Sequence, residues 1–163
     1  MATENTKSDS LSKMAEEIFA LAKLSWRQRL ASRKQGEEEL TESQFLTLDT
    51  LNNAKSEPLS VGDIQRTIHV VPAQMSRIIR SLEGDFDAPL IRCELNQIDK
   101  RKIDVRMTSQ GRAAYEQFRQ SRLGRTIDIL TGLGEQDRVD FIRICRHMRE
   151  LYEKASTAQS ESE

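Results

Sequence analysis

The sequence predicts a mostly α-helical fold with one small β-hairpin, and three features carry that prediction. In residues 72–83, Met75, Ile78, Ile79 and Leu82 recur at three- and four-residue steps, so one face of a helix is apolar. Residues 11–30 and 141–152 repeat this spacing, which places amphipathic helices near the two ends of the chain. Between them Ile103, Val105 and Met107 alternate with Lys102, Asp104 and Arg106, the two-residue period of a half-buried strand.

With 163 residues, 31% of them charged and 5% aromatic, the chain can build one domain with a real core and helical extensions. No apolar run approaches the roughly 20 residues that span a bilayer. Residues 1–12 are polar and lack an apolar signal core, so a cytoplasmic protein with no membrane partner is expected. Cys93 and Cys145 make no disulfide framework and read as reduced packing residues. His69 and His147 stand apart from any cysteine at metal-ligand spacing, so no metal is expected. A Gly-rich phosphate loop and a nucleophile–base pair are both missing, which argues against an enzyme, a catalytic residue or a cofactor.

Taken in order, residues 1–9 and 156–163 are Ser/Thr/Glu-rich stretches without periodicity and are expected to be disordered tails. Ser10 caps a helix over residues 11–34, whose stripe of Leu11, Met14, Ile18, Leu21, Ala22, Trp26 and Leu30 needs a partner surface. Gly36 and the run Glu37, Glu38, Glu39 break that helix. Thr41 then caps a second one, with Gln44 completing a capping-box pattern and Phe45, Leu48 and Leu51 on its buried side. Residues 52–58 are rich in turn formers, and Ser60 caps a short helix over residues 61–68 with Asp63 in its first turn. Val61, Ile64 and Ile68 face inward from it.

Pro72 opens the next helix, where a residue without an N–H is tolerated. Two short helices joined by a tight turn, the second polar and basic, make a helix-turn-helix pattern. Residues 90–95 and 102–107 form the hairpin, and its tip over residues 96–101 is polar and basic, which makes the hairpin a wing. Thr108 caps a helix over residues 109–130, and Gly134 precedes a last one over residues 135–154. Phe141, Ile144, Cys145, Met148, Leu151 and Tyr152 form its apolar side.

The formal net charge of −1 hides a placed basic charge. From Gln65 to Leu82 the ionisable residues are Arg66, His69, Arg77 and Arg80, with no carboxylate among them. Lys100, Arg101, Lys102 and Arg106 face Asp104 alone in the second wing segment. A helix face of amide, hydroxyl and guanidinium groups (Gln74, Ser76, Arg77, Arg80, Ser81) carries the donors and acceptors that read base edges and phosphates.

Thr41-x-x-Gln44-Phe45, the helix pair running to Leu82-Glu83, Asp99-Lys100-Arg101 and Met107-Thr108-x-x-Gly111 occur in one order. Together they resemble the multiple-antibiotic-resistance regulator (MarR) family of winged helix-turn-helix transcription factors, over about residues 40–152. The resemblance implies a winged helix-turn-helix domain over residues 40–108, flanked by N- and C-terminal dimerisation helices over residues 10–35 and 109–155. It implies a homodimer whose recognition helices enter the major groove while the wings reach the minor groove.

Carried over by position, Asp99 is the wing aspartate that orients an arginine, and Arg101 is that arginine. A pre-oriented guanidinium suits the enhanced negative potential of a narrow minor groove. Arg77 and Arg80 then contact phosphate or guanine, Gln74 pairs with adenine, and Ser76 or Ser81 reaches phosphate or base. Arg66, Lys100 and Lys102 complete the expected DNA-binding set. The sequence departs from the family pattern in a longer link over residues 84–89, in Val71 where a serine cap is usual, and in Lys100 where a second arginine is common.

The function expected is that of a dimeric, sequence-specific transcriptional regulator, a repressor, on a double-stranded pseudo-palindromic operator, relieved by a small-molecule effector. The competing reading is a winged-helix protein-interaction module without DNA binding, favoured by the near-neutral total charge and by Val71.

Overall fold

The computed structural model describes residues 2–32, 40–54 and 57–160. Its elements run α1 (Ala2–Ser32), α2 (Glu42–Asn53), β1 (Leu59–Ser60), α3 (Val61–Ile68), α4 (Pro72–Gly84), β2 (Ile91–Leu95), β3 (Ile103–Met107), α5 (Ser109–Thr131) and α6 (Glu135–Ser160). The expected break at Gly36 with Glu37, Glu38 and Glu39, and the expected helix end at Lys34, lie outside the described residues.

Two of the expected ends move. Helix α1 begins at Ala2, not after Ser10, and α6 continues to Ser160, so much of each supposed tail is helical backbone. Neither stretch contains proline or glycine, so no local breaker opposes the helix that follows or precedes it. Taken by itself, α1 carries Leu11, Met14, Ile18, Phe19, Leu21 and Leu24 exposed. Phe19 meets Trp26 edge-on at 6.2 Å between ring centroids, and Lys23 Nζ lies 5.0 Å over the Phe19 ring.

From α2 onward a core gathers where α2, α3 and α4 meet the sheet. Leu48, Ile64, Met75, Leu82, Ile91 and Val105 are all essentially inaccessible to solvent. Each such side chain contributes about 1.5–3 kcal/mol by leaving water. Helix α4 buries Met75, Ile78 and Leu82 as its spacing predicts, with Ile79 half-buried beside them. In α3 only Ile64 is fully buried, while Val61 and Ile68 are half-buried at its ends. Ser60 caps α3 with a complete capping box: Asp63 N–H donates to Ser60 Oγ at 3.1 Å, and Ser60 N–H donates to Asp63 Oδ2 at 3.3 Å. His69 closes α3 in the left-handed region at φ 52°, which gives the sharp turn into α4.

Strand β1 is an addition that sequence periodicity does not reveal, because two residues cannot display a period. It pairs antiparallel with β3, Leu59 opposite Val105 and Ser60 opposite Asp104, so the sheet order is β1-β3-β2. β2 and β3 pair in simple register from Ile91 opposite Met107 to Leu95 opposite Ile103. Val105 is buried and Met107 half-buried, but Ile103 is 44% exposed, because the hairpin has by then outrun the helices that cover its base.

The long link over residues 84–89 does not detach the wing from α4. Leu90 N–H donates to Leu82 O at 2.8 Å, so the extra residues bend outward between two tied ends. Leu90 O in turn accepts from Thr108 N–H at 3.0 Å, and Thr108 Oγ1 donates to Pro89 O at 2.8 Å while accepting from Gly111 N–H at 2.9 Å. Gly111 lies so close to this strand that a Cβ there would stand 2.0 Å from Leu90 O. The glycine of the Met107-Thr108-x-x-Gly111 motif is thus needed for close approach of helix to strand.

Helices α2 and α5 hold each other through aromatic rings. Phe45 stacks on Tyr115 at 5.3 Å and on Phe118 at 4.7 Å, Tyr115 Oη donates to Asp49 Oδ1 at 2.8 Å, and the Arg122 guanidinium lies 4.5 Å over Phe118. Burial, then the bond to Asp49, raises the Tyr115 hydroxyl pKa. Substitution Gly111→Ala is expected to cost about 1–3 kcal/mol or more by forcing α5 from Leu90, read as a lower midpoint in urea unfolding with the slope unchanged.

Candidate nucleic-acid interface

The residues expected to meet DNA fall on α3, α4 and the tip between β2 and β3. On α4, Gln74, Ser76, Arg77 and Arg80 are all exposed, opposite the buried Met75, Ile78 and Leu82. Val71 provides no side-chain cap, yet its carbonyl accepts from both Gln74 N–H and Met75 N–H at 3.0 Å, and Pro72 removes one donor that would need a partner. Ser76 Oγ donates back to Pro72 O at 3.1 Å. Ser81 departs from expectation. It is half-buried and accepts from Gln44 Nε2 at 2.7 Å, so it braces α4 against α2 and does not belong to the exposed face.

Arg66 on α3 is more constrained than its neighbours in sequence suggest. Asp63, one turn earlier, takes a hydrogen bond from the Arg66 guanidinium. The Ser60 hydroxyl first, its backbone N–H, and then Arg66 and Lys102 hold the Asp63 carboxyl below the usual carboxylate range, against the opposing effect of burial. Asp63 therefore caps α3 and also offsets charge on two expected DNA contacts. Sequence reasoning placed Asp63 in the first turn of a helix capped by Ser60 and gave it no cation, since Lys102 comes near it only through the β1-β3 pairing.

The wing tip is an ordered turn built on Asn96, a residue the sequence reading passed over. Its amide Nδ2 donates to both Asp104 carboxylate oxygens, at 3.0 and 2.9 Å. Its Oδ1 accepts from Ile98 N–H at 2.9 Å and Asp99 N–H at 2.8 Å, and Asn96 N–H donates to Lys102 O at 3.0 Å. An Asn accepting from backbone two and three residues on is an Asx turn, and an Asn at the strand end is its sequence signal. Asp99 Oδ1 then accepts from Arg101 N–H at 3.1 Å and from Arg101 Nε at 3.4 Å. The Arg101 side chain is 93% exposed, so its guanidinium stands in solvent while its root is held. Lys100 and Lys102 flank it, both exposed.

On the outer face of the sheet Arg92 stands opposite Arg106, and Glu94 opposite Asp104, so both signs alternate there. The inner face carries Cys93, half-buried beside Val105. Burial first, then a hydrogen bond to Glu83 and its negative charge, pushes the Cys93 thiol up to about 12. This is a packing cysteine and a poor nucleophile.

Residues 40–85 match the MarR family model. The chain is 24% identical over 117 residues to the HTH-type transcriptional repressor YetL of Bacillus subtilis, a match spanning 72% of this chain and 66% of that protein's length. Among solved structures it is similar to RV1404 from Mycobacterium tuberculosis, at TM-score 0.69 and 21% identity over 87% of this chain and 93% of that one. A mutant of MepR from S. aureus bound to an oligodeoxyribonucleotide aligns at TM-score 0.59 and 20% identity, over 85% of this chain and 97% of that one.

Because folding raises the Cys93 pKa, its protonated form favours the native state, and that contribution is complete below the ordinary value of 9.0. Stability from this group is expected to fall as pH rises from 9.0 toward about 12. Iodoacetamide at pH 8 followed by peptide mapping is expected to leave Cys93 unmodified in the folded protein and to label it in denaturant.

Proposed function

We propose that this chain is a regulator of the MarR type, the family whose model matches residues 40–85, and that it is a dimeric, sequence-specific repressor of transcription. Helix α4 enters the major groove of an operator and the wing tip reaches the adjacent minor groove. The observation that carries the reading is Arg101, held by Asp99 at the end of a hydrogen-bonded turn and otherwise open to solvent. A cation fixed at its root loses little freedom on meeting a phosphate-lined groove, so more of its attraction survives as affinity. Arg77, Arg80 and Gln74 supply contacts from α4, with Arg66, Ser76, Lys100 and Lys102 at its margins. Arg66 and Lys102 contribute less than their charge suggests, because Asp63 shares them.

The dimer reading rests on apolar side chains with too little of their own chain to cover them. In α6 Val139, Phe141, Ile142, Ile144 and Leu151 are each between 43% and 54% exposed, and α1 taken alone is similarly uncovered. So many exposed apolar side chains along one helix fit an association surface. A two-fold dimer presents two α4 helices to half-sites about one helical turn apart, which makes the operator a pseudo-palindrome. An effector that favours a different spacing of the two helices would release the DNA. The chain acts by binding, not by catalysis, and works in the cytoplasm. None of its described helices is long and apolar enough to cross a membrane.

Selection of bound duplexes from a random pool tests this directly. An inverted repeat with half-site centres about 10 base pairs apart is expected; a pool that stays random after repeated rounds would refute DNA reading by α4. On the recovered duplex, Arg101→Ala, which removes one cation from each wing of the dimer, is expected to weaken binding about tenfold and to flatten the slope of log affinity against log salt by about two. Asp99→Ala is expected to weaken binding by less, with the slope kept, since the cation remains and only its orientation is lost.

A further inference from the structure

The wing tip carries a feature that charge does not explain. Ile98 is 97% exposed, Leu95 62% and Ile103 44%. Single exposed apolar side chains are ordinary on protein surfaces. Here three of them stand at the end of a hairpin whose other tip residues are Asn96, Gln97, Asp99, Lys100 and Arg101. Leu95 and Ile103 are direct cross-strand partners, and they share the sheet face of Cys93 and Val105. That face looks toward α4, since Val105 is buried and the Cys93 thiol bonds Glu83 of that helix. The apolar inner face of the sheet therefore continues past the core and out along the wing, on the side of α4, where Leu95 and Ile103 stand exposed.

Ile98 sits beyond that pair and its backbone is fixed, because its N–H donates to Asn96 Oδ1 at 2.9 Å. A β-branched side chain on a fixed backbone has few rotamers left to lose on binding. An apolar residue presented this way contributes nothing to the free protein.

We propose that Ile98 makes an apolar contact inside the DNA minor groove, with Leu95 and Ile103 packed on the deoxyribose wall between wing and recognition helix. The inference rests on the DNA-binding reading above and adds a term to it that is independent of salt. The occupant is DNA because the cluster is bracketed by Lys100, Arg101 and Lys102, which favour a polyanion. The groove walls offer what an isoleucine needs, sugar C–H groups and base edges with few donors. Minor-groove proteins use apolar side chains as wedges in this way, and in such sites the apolar and cationic contacts act side by side.

The test titrates the full-length protein against the duplex recovered by selection, over a range of salt, for wild type, Ile98→Ala, Ile98→Leu and Arg101→Ala. Ile98→Ala is expected to lose about tenfold in affinity at every salt concentration with an unchanged slope. Ile98→Leu is expected to stay within a few fold of wild type. Arg101→Ala is expected to flatten the slope. Thermal unfolding of the free Ile98→Ala protein is expected to match wild type, as an exposed side chain requires. Wild-type affinity for Ile98→Ala would overturn the proposal and leave the role of Arg101 standing. A flatter slope or a lowered melting temperature for Ile98→Ala would overturn it too, because the residue would then be acting through Arg101 or through the fold. If the wild-type chain shows no salt-dependent binding to duplex DNA, the functional reading itself fails and the wedge with it. Binding of Ile98 to another protein in place of DNA would appear as Ile98→Ala bound to the duplex like wild type.

Discussion

Helix α4, strand β2 and helix α5 meet at the backbone of one residue, Leu90. The Leu90 N–H is tied to the end of α4 through Leu82 O, and its carbonyl accepts from Thr108 at the start of α5. Gly111 presses its bare backbone against that carbonyl. Helix α4, the base of β2 and the start of α5 are fixed relative to one another within this small volume. A side chain at residue 111 has no room, so the constraint is steric before it is energetic. Because α4 and the base of β2 are joined directly by the Leu90–Leu82 bond, the longer link over residues 84–89 changes the loop and leaves the wing root in place.

Three aspartates set the geometry around the basic residues of α3 and the wing. In a chain with net charge −1, α4 carries Arg77 and Arg80 and the wing tip carries Lys100, Arg101 and Lys102, while Asp63, Asp99 and Asp104 stand where each does a separate job. Asp63 caps α3 and offsets Arg66 and Lys102. Asp99 orients Arg101. Asp104 anchors Asn96, which in turn shapes the turn that carries Asp99. An exposed ion pair contributes little stability, about 0–1 kcal/mol. What these carboxylates supply is geometry: they set where Arg66 and Arg101 stand.

The same tip joins a cationic and an apolar function in six residues. Asn96 fixes the backbone of Ile98 as well as that of Asp99, so one Asx turn positions both the exposed isoleucine and the exposed arginine. Contacts of those two kinds respond differently to salt, one electrostatic and one not. A wing with both keeps part of its affinity where ionic screening has weakened the rest.

The local pattern of residues determined most of the secondary structure and much of the site. Helical spacing set α4 and its buried face, two-residue alternation set β3, and Ser60 and Thr108 marked the starts of α3 and α5, since each of these depends on neighbours within one or two turns. Asp99 and Arg101 were assigned as a pair through the family resemblance, and their two-residue spacing gives the physical reason. The tertiary structure decided what depends on distant partners. Ser81 was assigned to the exposed face by its position on the helix, yet Gln44 of α2 draws it inward. Asp63 acquired Lys102 only through the pairing of β1 with β3. Ile103 fits the alternation of a half-buried strand but stands exposed, because burial depends on where the covering helices stop and not on the strand's own period. Sequence carries periods and caps; which residue meets which across the fold is set by the packing that closes at Leu90.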